Sequence, residues 1–391
     1  MKITKEGSTI TVYPEGRLTT ENAPELRREL SDILEQAPDC DIIVDAERLE
    51  YISSSGLRAL LSAAKKVRSR LRVINVSPEV YEVLEVTGFV DLMDVEKRLR
   101  EIDVTGCEII GKGAVGTVYR LDAETIVKVF DPAVSIDMIR GEQRLAKKAF
   151  VKGIPTAIPF DVVRVGDQYG SVFELLDATT LHDQFASDPG KQEETLKKFV
   201  SLMRQVHQVE ADPDDLPDNR NIYLKYLEET REYLDKDLYE RLRTLFSEMP
   251  EDLHMIHGDL QMKNVMLEGE SPLLIDMETL STGNPVFDLA ASKVAYVTYN
   301  EDEPGNSLNF LGLSKETCDH IWERILALYF EGRSEEEIRE AERRISVVAY
   351  VHFLYWQTVL KRGLADLVPI RVRHCAEHLR ELTEGIEGLT I

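Results

Sequence analysis

His257-Gly258-Asp259-Leu260, Asn264, and Leu273-Leu274-Ile275-Asp276-Met277-Glu278 decide how this chain is read. The apolar run ending on an acid reads as a short buried strand that delivers Asp276 to a loop. Working outward, Gly111-Lys112-Gly113-Ala114-Val115-Gly116-Thr117-Val118 has the spacing G-x-G-x-x-G-x-V. It runs on into Thr117-Val118-Tyr119-Arg120-Leu121, a strand pattern and not a helix. Another strand follows in Thr125-Ile126-Val127-Lys128-Val129-Phe130, with Lys128 among apolar neighbours, and Ile136 to Ala149 suits a helix that carries Glu142. Val172-Phe173-Glu174-Leu175-Leu176 reads as a further strand. Beyond about residue 190 the pattern turns helical, broken by an acidic, proline-containing loop at 211–218, and Ser314 to Ile386 reads as helices. A small strand-rich part is expected, followed by a larger helical one.

The oxygen-bearing side chains in the first quoted stretch have the order that phosphoryl transfer requires. Asp259 is expected beside an acceptor hydroxyl as catalytic base, and Asn264 and Asp276 are expected to hold Mg²⁺ on the phosphates of ATP. His257 is expected to orient the loop through a hydrogen bond, and Asp288 to brace it. Glycines in a hairpin let backbone approach phosphates, and a lysine on the next strand suits the α- and β-phosphates. Gly111, Gly113, Gly116, Val118 and Lys128 are therefore the nucleotide-binding candidates, with Glu142 as ion-pair partner of Lys128. Opening a dinucleotide fold is the rival use of such glycines, and it needs a helix where this chain has a strand.

In this order of parts, residues 106–391 resemble the aminoglycoside phosphotransferase and choline kinase-like family, a branch of the protein-kinase-like fold. Gly283-Asn284-Pro285-Val286-Phe287-Asp288-Leu289-Ala290 resembles the family's Gly-x-Pro-x-x-Asp-Leu-Ala segment. The resemblance implies an α+β bilobal domain, with a small β-rich lobe at 106–178 and a large helical lobe at 179–391. It also implies a kinase with an alcohol-group acceptor. Protein kinases usually carry His-Arg-Asp, Asp-Phe-Gly and Ala-Pro-Glu; here Gly258 stands for the Arg, Met277-Glu278 for Phe-Gly, and no Ala-Pro-Glu follows. The short path from Asp276 to Asp288 leaves little room for docking a peptide, which favours a small-molecule hydroxyl acceptor.

Residues 1–100 read as a separate α/β unit. Thr9 to Tyr13, Asp41 to Asp45 and Leu71 to Val76 are strand patterns, and helices are expected after Asn22, Ser53 and Pro78. Asp94 to Gly106 is charged, without a clear strand pattern, and is the expected boundary. Leu49-Glu50-Tyr51-Ile52-Ser53-Ser54-Ser55-Gly56-Leu57 resembles the core of STAS domains, the anti-sigma-factor antagonist family. That resemblance implies a regulatory role through a protein partner and makes Ser54 a candidate phosphorylation site, although Ser53 replaces the family's usual Asp. A phosphate on Ser54 would meet free N–H groups at a helix start; serines there also serve simply as caps. A kinase acting on a STAS serine (Ser54 or a partner's) and a non-catalytic nucleotide-sensing switch are the alternative functions.

Whole-chain properties set outer limits. The 391 residues carry a formal net charge of -24, which argues against nucleic acid and anionic membranes as partners. Cys40, Cys107, Cys318 and Cys375 form no CxxC pair, so neither a structural zinc site nor a disulfide framework is expected. No stretch approaches a spanning helix and the N-terminus lacks an apolar leader core, so a cytoplasmic location is expected. His374, Cys375 and His378 read as an ordinary helix face, His352, Tyr355 and Trp356 as core, and Asn300 to Glu303 as a solvated loop.

Overall fold

The computed structural model describes residues 2–391 apart from 68, 69, 114, 177, 304, 362 and 363, so Ala114 of the glycine-rich stretch lies outside the described residues. The chain divides into two compact units, Met1–Ile102 and Asp103–Ile391.

In the first unit, alternation in Thr9–Tyr13 buries Ile10 and Val12 and leaves the residues between them partly exposed. The sheet runs in the order Lys2–Glu6, Thr9–Tyr13, Asp41–Asp45, Arg72–Val76, Asp94–Lys97; the first pair is antiparallel and the rest parallel. The helix Ala23–Gln36, with proline in its first turn, buries Leu26 and Leu30 against this sheet's core of Val12, Val44 and Val73. The helix Ser54–Ala64 is capped by Ser53, whose Oγ accepts from Gly56 N at 3.3 Å. Gly56 is bare because a Cβ there would stand 2.7 Å from Leu18 Cδ2. Ser54, the first residue of that helix, is exposed. Asp94–Lys97 is a strand where none was expected. It is an edge strand that sets Val95 against the core and turns charged Asp94 and Lys97 to solvent, so its alternation is hidden.

In the second unit, antiparallel neighbours lie in the order Pro159–Val165, Gln168–Glu174, Thr125–Phe130, Gly116–Arg120, Ile109–Lys112. The helix Ile136–Val151 starts at Ser135, whose side chain accepts from Met138 N, and buries Ile139, Glu142, Ala146 and Ala149. The later helices, among them Gln192–Val206, Asn219–Glu229, Val286–Lys293, Lys315–Tyr329 and Glu335–Thr358, enclose a core built on Phe199, Phe246, Phe287, Ile325 and Phe353. Two short pairings position the loops of interest. The fully buried strand Met255–Ile256 pairs with Ser281–Thr282 and ends at His257. The hairpin Val265–Glu268 with Ser271–Leu274 ends just before Asp276. No helix among the described residues is long and apolar enough to cross a membrane.

Candidate active site

The loop leaving Ile256 is fixed by hydrogen bonds to nearly every polar atom of its first residues. Asp288 is fully buried and its carboxylate accepts three bonds: from His257 N at 2.9 Å, Gly258 N at 2.6 Å and His207 Nε2 at 3.0 Å. Burial alone would raise this carboxyl; the bond and charge of His207, with His257, outweigh it and hold it below the usual carboxylate range. His257 accepts from Asp259 N on Nδ1 at 3.3 Å, so the proton is on Nε2, which donates to the Ile275 carbonyl at 3.0 Å. The ring thereby ties the Asp259 loop to the strand end that delivers Asp276.

Gly258 sits at φ +85°. A Cβ there would stand 2.6 Å from the Thr279 carbonyl, and Thr279 is anchored by its Oγ1 donating to the His257 carbonyl at 2.7 Å. The arginine that protein kinases usually carry at this point has no room in this loop. Asp259 follows, and Asn264 Nδ2 donates both to its backbone carbonyl at 2.8 Å and to its Oδ2 at 3.1 Å. Gln261 Nε2 reaches Asp259 Oδ1 at 3.3 Å. The carboxylate is aimed by side chains on its own loop.

Lys128 stands opposite Val118 on one side and Ser171 on the other in the sheet. Its Nζ lies 3.0 Å from Glu142 Oε1 and 3.3 Å from Asp276 Oδ1. Burial opposes the charge of Lys128, but Asp276 and Glu142 outweigh it and hold the ammonium above the ordinary lysine range. Burial also pushes the Glu142 carboxyl up, against the pull of Lys128. The two directions oppose each other on one ion pair; the 3.0 Å contact and the strongly held ammonium favour the ionised form. Asp276 itself has left-handed backbone, φ 64° and ψ 64°, a conformation that costs a non-glycine residue roughly 1 kcal/mol or more.

Thus Lys128, Glu142 and Asp276 meet directly, and Asp259 and Asn264 meet directly. The Asn264 carbonyl accepts from Ile275 N at 3.0 Å, which joins the two groups. Gly111 pairs with Val118 across the hairpin, and Gly113 N donates to the Gly116 carbonyl at 2.9 Å. Gly116 has a reason other than access to phosphate: a Cβ there would stand 2.3 Å from the Val129 carbonyl of the paired strand. Ser54 belongs to the other unit.

Glu278 was not among the expected site residues. With Glu142 and Asp276 it offers carboxylate oxygens that all lie within 4.8 Å of one another. Asp276 and Glu278 supply hard anionic oxygens, and Asn264, whose Nδ2 is spent on Asp259, keeps its side-chain oxygen Oδ1 for a ligand. Such a donor set fits Mg²⁺. Two further residues were missed: Ser292 Oγ donates to the Leu260 carbonyl at 2.6 Å, and Tyr296 OH accepts from Met262 N at 2.9 Å. Their positions four and eight residues beyond Asp288 were the available signal. Asn300 to Glu303, read as a solvated loop, is tied into the fold instead. Glu301 accepts from Tyr350 OH at 2.8 Å, Asp302 pairs with His374, and Glu303 meets the buried Arg371 at 3.1 Å. Three consecutive acids looked solvated because their partners come from helices far along the chain.

Residues 106–306 match the model of the phosphotransferase enzyme family, and residues 1–102 match that of the STAS domain. The N-terminal unit is similar to a protein of Bordetella bronchiseptica named as an anti-sigma factor antagonist, BtrV, with 34% identity over 84 residues, 21% of this chain and 72% of that protein. Among solved structures, the ADP-bound aminoglycoside phosphotransferase APH(2'')-Ib is 14% identical with a TM-score of 0.49, over 78% of this chain and 99% of that one. A choline/ethanolamine kinase family protein from Mesorhizobium loti is 16% identical with a TM-score of 0.47, over 71% and 92% respectively.

Proposed function

We propose that this chain, which belongs to the phosphotransferase enzyme family and carries a STAS domain ahead of that part, moves the γ-phosphoryl group of ATP to a hydroxyl of a small molecule. Its fold is a STAS-like α/β domain followed by a kinase-like domain with a strand-rich lobe and a helical lobe.

The observation that carries the reading is the convergence on Lys128: Glu142 at 3.0 Å fixes its ammonium, and Asp276 at 3.3 Å brings the metal-binding carboxylate to the same point. ATP and Mg²⁺ supply the phosphoryl group and the charge neutralisation that its transfer needs. Lys128 holds the α- and β-phosphates, and the hairpin of Gly111, Gly113, Gly116 and Val118 covers them. Asp276 and Asn264 hold the metal, with Glu278 beside them. Asp259, aimed by Asn264 and Gln261, orients the acceptor hydroxyl and takes its proton.

Replacing Asp259 by Asn keeps the shape and removes the base, so acceptor-dependent ADP formation should fall by about 10²–10⁴-fold. Unchanged turnover in Asp259→Asn sinks the assignment. A screen of aminoglycosides, choline and sugars for acceptor-dependent ADP formation identifies the acceptor. The second reading, a kinase for a STAS serine, is favoured by the exposure of Ser54 at a helix start. It requires a mass gain of one phosphate on residues 1–100 after incubation with ATP, and no gain in the protein or a STAS partner removes it.

A further inference from the structure

The helix Ile136–Val151 brings Glu142 to Lys128 from its inner face, and its outer face has no part in that site. Arg140, Arg144, Lys147, Lys148 and Lys152 recur at i, i+4, i+7, i+8 and i+12, so they share one side of the helix and of the residue that ends it. In a chain of formal charge -24 this is a concentrated patch of the opposite sign.

The patch lines a cavity of about 410 Å³ that Asp212 and Asp215 also border. Those two acids occupy one end of it. Lys148 reaches both the carboxylate and the backbone carbonyl of Asp215, and Lys152 pairs with Asp212 at 3.0 Å. Arg140 already has a partner of its own, and its charge adds to the field of the patch. What remains is Arg144 and Lys147, both exposed and in no ion pair with a described residue, and Gln143. Gln143 is only 9% exposed, and its Nε2 makes no hydrogen bond. A buried amide donor without an acceptor is something folded proteins ordinarily avoid. Arg144 and Lys147 beside it have donors only, so neither can accept from that amide. Their backbone positions fall within about 6 Å along the helix axis, at 1.5 Å per residue. A compact, acceptor-only group carrying more than one negative charge meets all three; a tetrahedral oxyanion offers oxygens in several directions at once.

We propose that Gln143, Arg144 and Lys147 form an oxyanion site that takes a phosphate group, either free inorganic phosphate or the phosphate of a small phosphorylated metabolite. The site is separate from the phosphates held at Lys128 and does not depend on the enzyme's acceptor.

Calorimetric titration of the full chain with sodium phosphate and with glucose 6-phosphate tests it. The unmodified protein and Lys128→Ala should bind alike, and the pair Arg144→Ala with Lys147→Ala should bind at least tenfold more weakly. Gln143→Glu, which replaces the donor by an acid in the same shape, should lose binding as well. Arg144 and Lys147 are on the surface, so the thermal midpoint should not move, and Arg144→Lys with Lys147→Arg should restore binding. Tighter binding of inorganic phosphate identifies the free anion as occupant, and tighter binding of the sugar phosphate identifies a metabolite. Heat that disappears in Lys128→Ala and survives in the double variant places the anion at the other site and overturns the proposal. The absence of heat from both titrants in the unmodified protein overturns it too.

Discussion

Asp288→Asn is the sharpest probe of how the Asp259 loop is held. The carboxylate accepts from His257 N, Gly258 N and His207 Nε2 at 2.9, 2.6 and 3.0 Å, and it is fully buried. An amide accepts at one end only. With its oxygen toward His257 N and His207, its NH₂ meets the Gly258 N–H; turned over, it abandons the other two. At least one buried donor is orphaned, at about 1–3 kcal/mol, and bonds to a charged acceptor worth about 1.5–3 kcal/mol each are weakened. The expected net loss is about 2–4 kcal/mol. Both tryptophans, Trp322 and Trp356, lie in the unit Asp103–Ile391, so their fluorescence in urea follows that unit alone. With a urea slope of about 3 kcal/mol per M, the midpoint should fall by roughly 1 M. The sign with pH follows from the lowered carboxyl. Its stabilisation is fully present above the unfolded value, about 3.9, and is lost as pH falls through the folded value below that. The gap between the protein and Asp288→Asn should therefore be constant near neutrality and close in acid. A loss under about 0.5 kcal/mol, the range of ordinary surface changes, or a gap that widens on acidification, refutes the reasoning.

Other expectations follow from neighbouring contacts. Glu142→Gln removes the charge 3.0 Å from Lys128, and should raise the KM for ATP about tenfold, roughly 1.4 kcal/mol; an unchanged KM counts against the pair as a nucleotide-positioning device. Gly258→Ala puts a Cβ 2.6 Å from the Thr279 carbonyl at φ +85°, and should cost at least the roughly 1–2 kcal/mol of left-handed backbone, with kcat falling alongside the urea midpoint. Neutral stability in that variant would show that the loop relaxes freely. Burial pushes the Cys318 thiol up to about 11, and Cys375 is raised further by burial, Glu301 and Asp302. With Cys40 and Cys107 only half-buried, two of the four thiols should react with a disulfide reagent near pH 8, and all four after denaturation. Rapid native reaction of four thiols would contradict the packing of the helical core.

The parts of the candidate site that were legible in the sequence share a property: each is either a local pattern or a residue whose chemistry has few other uses. Lys128 lies on an apolar strand with Glu142 on the next helix, and Asp259 and Asn264 share one short loop, so each pair is local in sequence. The bonds that fix them are not local. Asp288 reaches back to His257 and Gly258, His207 comes from the helix Gln192–Val206 and its end, and Thr279 closes over Gly258. Glu301, Asp302 and Glu303 show the same limit from the other side, since Tyr350, His374 and Arg371 reach them across tens of residues. Gly116 shows a third kind of limit: its position in a glycine pattern suggested room for phosphate, while the requirement visible in the fold is the approach of its own paired strand.

The segment from Val286 to Thr298 explains why the Asp-Leu-Ala pattern travels with the Asp259 loop. Asp288, Ser292 and Tyr296 project from it at four-residue intervals and hold, in turn, the N–H groups of His257 and Gly258, the carbonyl of Leu260, and the N–H of Met262. In an unbroken α-helix each four-residue step overshoots a turn by about 40°, so two steps would swing Tyr296 about 80° away from Asp288. The helix does not stay α: Val286–Lys293 is α-helical, and Val294–Thr298 is a π turn. A π turn takes more residues per revolution and so reverses the drift, and Tyr296 remains over the same loop as Asp288. The inserted turn thus has a definite task. It lets one helix grip a six-residue stretch, His257 to Met262, at its beginning, middle and end, and the carboxylate of Asp259 lies between those grips.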